Sequence, residues 1–114
     1  MTECIFCRIV AREIPAKIIY EDERSLAFVD ARPEAPEHFL IVPKHHLASL
    51  AEMADEDAPL VGHLFAIASK LARERGLAAG GYRTVINTGA GAGQSVFHLH
   101  VHVLGGRAFH WPPG

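Results

Sequence analysis

A chain of 114 residues, 49% of them hydrophobic and 21% charged, has the composition of a globular protein with enough core for one domain spanning 1–114, and is small enough to favour oligomerisation. Its formal net charge of −2, with no basic stripe, excludes a partner of nucleic-acid polymer type, which needs many phosphate contacts, though a single nucleotide stays compatible. No apolar run reaches membrane-spanning length, and the opening Met1-Thr2-Glu3-Cys4 lacks the pattern of a signal peptide, so no membrane partner and a cytoplasmic location are expected.

Residues 4–13 read as one or two helical turns, ended at Ile14-Pro15 because a residue before proline leaves the α region. Residues 17–21 and 25–30 read as hairpin strands around the polar turn Asp22-Glu23-Arg24. A loop fixed by Pro33 and Pro36 leads to a third strand over 38–42, stopped by Pro43. Residues 44–50 form a loop or short helix. Asp55, Glu56, Asp57 and Pro59 then mark a helix N-terminus, with acids at the positive end of the helix dipole. Leu60, Val61, Leu64, Ala68, Leu71 and Ala72 recur at helical spacing, and Gly76 is a natural stop. This is the one long helix. A fourth strand is expected over 83–87 and a fifth over 98–104, with Phe109 and Trp111 of the tail packed against something. Hairpin strands with one long helix indicate an α+β fold built on an antiparallel sheet.

The fifth strand is His98-Leu99-His100-Val101-His102-Val103-Leu104. A period of two puts the three imidazoles on one face, about 6.6 Å apart along the strand, with Leu99, Val101 and Val103 turned to a core. Histidine serves as nucleophile, acid, base or metal ligand, so the row alone does not choose among these roles. The preceding Thr88-Gly89-Ala90-Gly91-Ala92-Gly93-Gln94-Ser95 is glycine-rich but lacks the ending and following helix of a P-loop. If it binds phosphate, the donors are backbone amides near Gly93 and Gln94 and the Ser95 hydroxyl.

Cys4 and Cys7 are compatible with half a zinc site, a redox pair, or two reduced buried thiols. His45, His46 and His98 are the available completions of a Cys2His2 set. Asp30 at a strand end is placed either to hold ribose hydroxyls or to form a turn before Arg32-Pro33, and Asn87 is similar. Phe6, Ile9, Ile18 and Phe28 read as core. His38, His63 and His110 show nothing beyond surface or satisfied histidine.

The His98–His102 row resembles the histidine-triad (HIT) motif of nucleotide hydrolases and transferases. Ile14-Pro15-Ala16-Lys17, Leu26-Ala27-Phe28-Val29-Asp30, His38-Phe39-Leu40-Ile41-Val42-Pro43-Lys44, Gly93-Gln94-Ser95 and the ending His110-Trp111-Pro112-Pro113-Gly114 extend the resemblance to the histidine-triad nucleotide-binding (HINT) branch across the chain. It implies a five-stranded antiparallel sheet with one long and one or more short helices, paired with its twin in a homodimer. The activity implied is hydrolysis of purine nucleoside 5′-phosphoramidates, adenosine preferred. His100 is then the nucleophile that becomes nucleotidylated, His102 contacts phosphate, and Ser95, Gly93 and Gln94 contact phosphate or leaving group. Asp30, with Ala31 beside it, holds the ribose; Asn87 lines the site; Phe6, Ile9, Ile18 and Phe28 pack the base. Zinc-containing relatives imply a structural zinc on Cys4, Cys7, His46 and His98, with His45 a bystander and no cofactor in the chemistry. The competing expectations are a dinucleoside polyphosphate hydrolase, a triad that carries a catalytic metal, and a nucleotide-binding regulatory module without catalysis.

Overall fold

Five strands, β1 (Ile18–Glu21), β2 (Ser25–Val29), β3 (Glu37–Pro43), β4 (Tyr82–Val85) and β5 (Val101–Gly105), form one antiparallel sheet in the order β1-β2-β3-β5-β4. The computed structural model describes residues 3–114. Met1 and Thr2, part of the opening read against a signal peptide, lie outside the described residues. Side-chain alternation divides the sheet into two apolar faces. Ala27, Phe39, Ile41, Leu99, Val101 and Val103 face the long helix α2 (Ala58–Glu74), whose Leu64, Ile67, Ala68 and Leu71 are buried against them. Leu26, Phe28, Leu40 and Val42 point the other way and are covered by Phe6 and Ile9 of the short helix α1 (Ile5–Val10). That two-sided burial explains why β2 and β3 read as nearly continuous apolar runs.

Helix α2 follows a 3-10 turn at Asp55–Asp57 and ends before Gly76, which takes φ +75° as the sequence suggests. Helix α1 stops earlier than Ile14-Pro15. The Arg12 amide donates to the Ile9 carbonyl, Arg12 itself adopts φ +63°, and residues 12–15 are not helical. The fourth strand is 82–85 rather than 83–87, which leaves Asn87 beyond its end. At the β1–β2 turn, Asp22 Oδ1 accepts from the amides of Arg24 and Ser25 and from the Ser25 hydroxyl, each at 2.8 Å. Its Oδ2 meets His63 of α2 at 2.7 Å and accepts from the Tyr20 hydroxyl at 3.0 Å, so His63 is a satisfied histidine tying helix to hairpin.

The largest departure concerns the histidine row. Sheet pairing begins at Val101, opposite Ile41, so residues 98–100 lie outside the regular ladder. The Leu99 amide donates instead to the Leu47 carbonyl at 2.7 Å. Alternation nevertheless persists, with Leu99 buried on the α2 side and the three histidines on the other. In the tail, the guanidinium groups of Arg83 and Arg107 lie over the Phe109 ring, whereas Trp111 remains 84% exposed and not packed. Among the described residues, no helix is long and apolar enough to cross a membrane.

Candidate active site

A cavity of about 600 Å³ opens on the α1 side of the sheet, within the size range of small-ligand sites. Ile5, Phe6 and Ile9 of α1 supply one apolar wall, and Ile14, Phe28 and Leu40 extend it. The opposite end is polar: Asp30, Asn87, Ser95, His100 and His102. Ala31 and Gly93 also line the cavity. Two residues named from the sequence do not. Ile18 is packed into the apolar cluster under α1, and Gln94 is buried as a brace. Its Oε1 accepts from the Gly89 amide at 2.8 Å, while its Nε2 donates to the carbonyls of Ala48 and Val96.

The glycine-rich loop holds a short 3-10 turn at Ala90–Ala92, flanked by Gly89 at φ +87° and Gly93 at φ +93°. This turn corrects one expectation about phosphate donors. The Gly93 amide donates to the Ala90 carbonyl and the Gln94 amide to the Gly89 carbonyl, so both are consumed within the loop. Ser95, the next residue, is the loop side chain that reaches the cavity with a polar group.

Hydrogen bonds fix which nitrogen of each histidine carries a proton. His100 Nδ1 lies 2.7 Å from the His98 carbonyl oxygen. A carbonyl accepts only from an N–H, so Nδ1 is protonated and the neutral ring keeps its lone pair on Nε2. Burial holds the His100 imidazole below its ordinary range, outweighing the opposing pull of that carbonyl and of Asp30. His102 is pushed down to about 4, chiefly by burial and further by His100 and His38. The rings of His100 and His102 have centroids 4.9 Å apart, nearer than a fully extended strand would give.

His38 takes part in this site, although its sequence context gave no sign of it. It is 6% exposed, and its Nδ1 accepts from the Glu34 amide at 3.0 Å. Its Nε2–H is therefore directed at His102 Nδ1, 3.0 Å away, and at Asp30 Oδ2, 3.3 Å away. With His102 Nδ1 accepting, Nε2–H is the donor His102 has left for the cavity. Asp30 takes the turn role read for it, since Oδ1 accepts from the Arg32 amide at 2.8 Å, while Oδ2 faces the histidines. The signal for His38 was register: it lies two residues from Leu40, which pairs directly with His102.

A second cluster sits behind Phe6. Cys4, Cys7, His46 and His98 each offer a donor atom, all within 4.8 Å of one another. His98 Nδ1 is 3.3 Å from Cys4 Sγ, 3.5 Å from Cys7 Sγ and 3.1 Å from His46 Nδ1, and Cys7 Sγ is 3.3 Å from His46 Nδ1. A tetrahedral zinc with ordinary bond lengths separates its nitrogen and sulfur ligands by about 3.3–3.6 Å, so this donor set fits that ion. His98 Nε2 donates to the Pro43 carbonyl at 2.7 Å, which turns the lone pair of Nδ1 toward the cluster.

The model of the HIT domain matches residues 11–109. A HIT-like protein of Synechococcus elongatus is 52% identical over 112 residues, covering 98% of this chain and 97% of its own length. The crystal structure of a HIT family hydrolase from Legionella pneumophila superposes with a TM-score of 0.96 at 48% identity, covering 98% of this chain and 100% of that one. A histidine triad protein from Clostridium difficile gives 0.93 at 43% identity over 96% of each chain.

Proposed function

The chain belongs to the HIT domain family, and from that premise we propose a hydrolase of the HINT branch that cleaves the P–N bond of purine nucleoside 5′-phosphoramidates, adenosine preferred. The observation that carries this reading is the 2.7 Å bond from His100 Nδ1–H to the His98 carbonyl. It leaves a nucleophilic lone pair on Nε2 of a ring that lines the cavity, and the lowered basicity of that ring keeps the pair unprotonated at neutral pH. The purine occupies the apolar wall at Phe6, Ile9 and Phe28, the ribose lies against Asp30 and Ala31, and the phosphate is held by Ser95, Asn87 and His102 Nε2–H.

Catalysis proceeds in two displacements. His100 Nε2 attacks the α-phosphorus, the P–N bond breaks, and the amine leaves with a proton taken up from solvent. Water then attacks the nucleotidyl-histidine and gives up a proton to solvent, the phosphorus–Nε2 bond breaks, and the nucleoside monophosphate departs as the ring recovers its lone pair. Preorganised positioning and neutral donors aimed at the phosphoryl oxygens supply the rate, as in phosphoryl transfer generally. Cys4, Cys7, His46 and His98 would hold a zinc ion that cross-links the N-terminal segment to the triad. A thiol pair of this kind suits the reducing cytoplasm. The exposed Trp111 and the edge position of β4 favour a homodimer that covers them.

The competing reading, a catalytic metal on the triad, would draw on Asp30, His38 and His102, whose donor atoms also lie within 4.8 Å of one another. The two readings separate on adenosine 5′-phosphoramidate. For the covalent mechanism, His100→Ala loses at least about a thousandfold in kcat while still binding AMP. His100 is not a member of the Asp30–His38–His102 group, so near-wild-type turnover by this variant would favour the metal.

A further inference from the structure

His98 belongs to two constructions at once. Its side chain is wholly buried and directs Nδ1 into the Cys4–Cys7–His46 cluster, while Nε2 is tethered to the Pro43 carbonyl. Its backbone carbonyl is the acceptor that fixes the proton of His100 on Nδ1. Between these two residues the chain has not yet entered the sheet, since ladder pairing starts at Val101. The position of the His98 carbonyl is thus set by what holds its side chain and by the Leu99–Leu47 bond, rather than by strand register.

We propose that the Cys4–Cys7–His46–His98 cluster is a positioning device for the nucleophile: a metal ion bound there sets the tautomer and orientation of His100 through the His98 carbonyl. Phe6 supplies a second link. Its ring packs edge-on against both His98 and His100, with centroids 6.0 and 5.0 Å away. It rides on a helix of six residues capped by the Cys4 sulfur, which accepts from the Cys7 amide at 3.4 Å. A helix so short has no independent stability. Fixing both cysteines to His46 and His98 therefore fixes the wall against which the His100 ring stands. This inference rests on His100 being the nucleophile, and its test is built to fail separately from that reading.

The protein is stripped of metal, then titrated with Zn²⁺, with ¹⁵N-histidine NMR following the His100 ring. The loaded protein is expected to show one sharp Nδ1–H resonance, and the stripped protein a mixture of tautomers. Turnover of adenosine 5′-phosphoramidate falls about ten- to hundredfold on stripping, the range seen when an outer-shell support is lost, while AMP affinity changes less than about threefold. His46→Ala reproduces the stripped state, and His46→Cys, which keeps four ligands, restores both signals. Loading with Cd²⁺, a larger ion of similar ligand preference, shifts the His100 resonance without unfolding anything. Unchanged His100 resonances in the stripped or Cd²⁺ form, or an equal loss of AMP affinity and turnover, would overturn the proposal. If His100 is not the nucleophile, His100→Ala retains turnover while the NMR response to Zn²⁺ in the wild type is unaffected.

Discussion

At the scale of single residues, the three histidines differ in what their hydrogen bonds leave over. His98 gives its Nε2–H to Pro43 and turns Nδ1 to the cysteines, His100 gives its Nδ1–H to His98 and keeps a lone pair on Nε2, and His102 accepts on Nδ1 and is left with Nε2–H. The lowered pKa of His100 has a direct kinetic consequence. Its folded value lies below the ordinary 6.5, so the lone pair survives to lower pH than in a solvent-exposed histidine. The acid limb of kcat/KM is expected below pH 6.5, after correction for spontaneous hydrolysis; a limb at or above that value would contradict the assignment. The same sign governs stability. A ring that binds its proton less readily when folded favours the unfolded state as pH drops below 6.5, so the melting temperature falls between there and about 4, where His102 titrates. The cavity positions of His100, His102 and Ser95 were legible in the sequence because a two-residue period and a glycine loop read locally, whereas the local sequence left Asp30 open between a turn and a site role. His38 was not, since its role depends on β3 lying beside β5, a long-range pairing that no local pattern encodes.

At the scale of elements, the glycine loop and the entry to β5 decide whether Ser95 and His100 share one cavity. Gly93 holds φ +93° with nothing within 4 Å of the position a Cβ would take. Gly93→Ala therefore meets no steric block and pays only the backbone cost of a left-handed residue, about 1–2 kcal/mol. In urea melts it is expected to lose that amount, with reduced turnover as Ser95 shifts. Gly91→Ala, at a glycine with open space and no positive φ, should stay within about 0.5 kcal/mol. Equal stability of the two variants would contradict the role given to Gly93. The strands and the long helix could be read in advance because their apolar spacing is strong. The ends were less legible: β5 starts three residues late because His98 is drawn toward Pro43 and the cysteines, and α1 ends at Val10 rather than at the proline. Gln94 resembled a phosphate ligand, yet loop closure takes its amide and burial takes its side chain.

At the scale of the molecule, α2 consolidates one face of the sheet and frees the other for chemistry. Among the described residues, α1 together with Ile14, Ala16 and Val96 covers that second face, and the cavity lies between this cover and the histidines. One wall of the candidate site thus rests on a helix of six residues, which gives the Cys4–Cys7–His46–His98 cluster its importance. The chain alone leaves Trp111 84% exposed, an unusual condition for the largest apolar side chain of a water-exposed tail. Analytical ultracentrifugation is expected to give a single species of twice the 12.4 kDa chain mass, and Trp111→Ala to weaken that association. A monomer at micromolar concentration would contradict the homodimer.

The most direct test of the covalent mechanism is rapid acid-free quenching of the enzyme with adenosine 5′-phosphoramidate, followed by peptide mass spectrometry. The expected result is one adenylyl group on the peptide bearing His100, formed within the first turnover and missing from His100→Ala. Full turnover without an adduct at any quench time, or an adduct on another residue, would contradict the account.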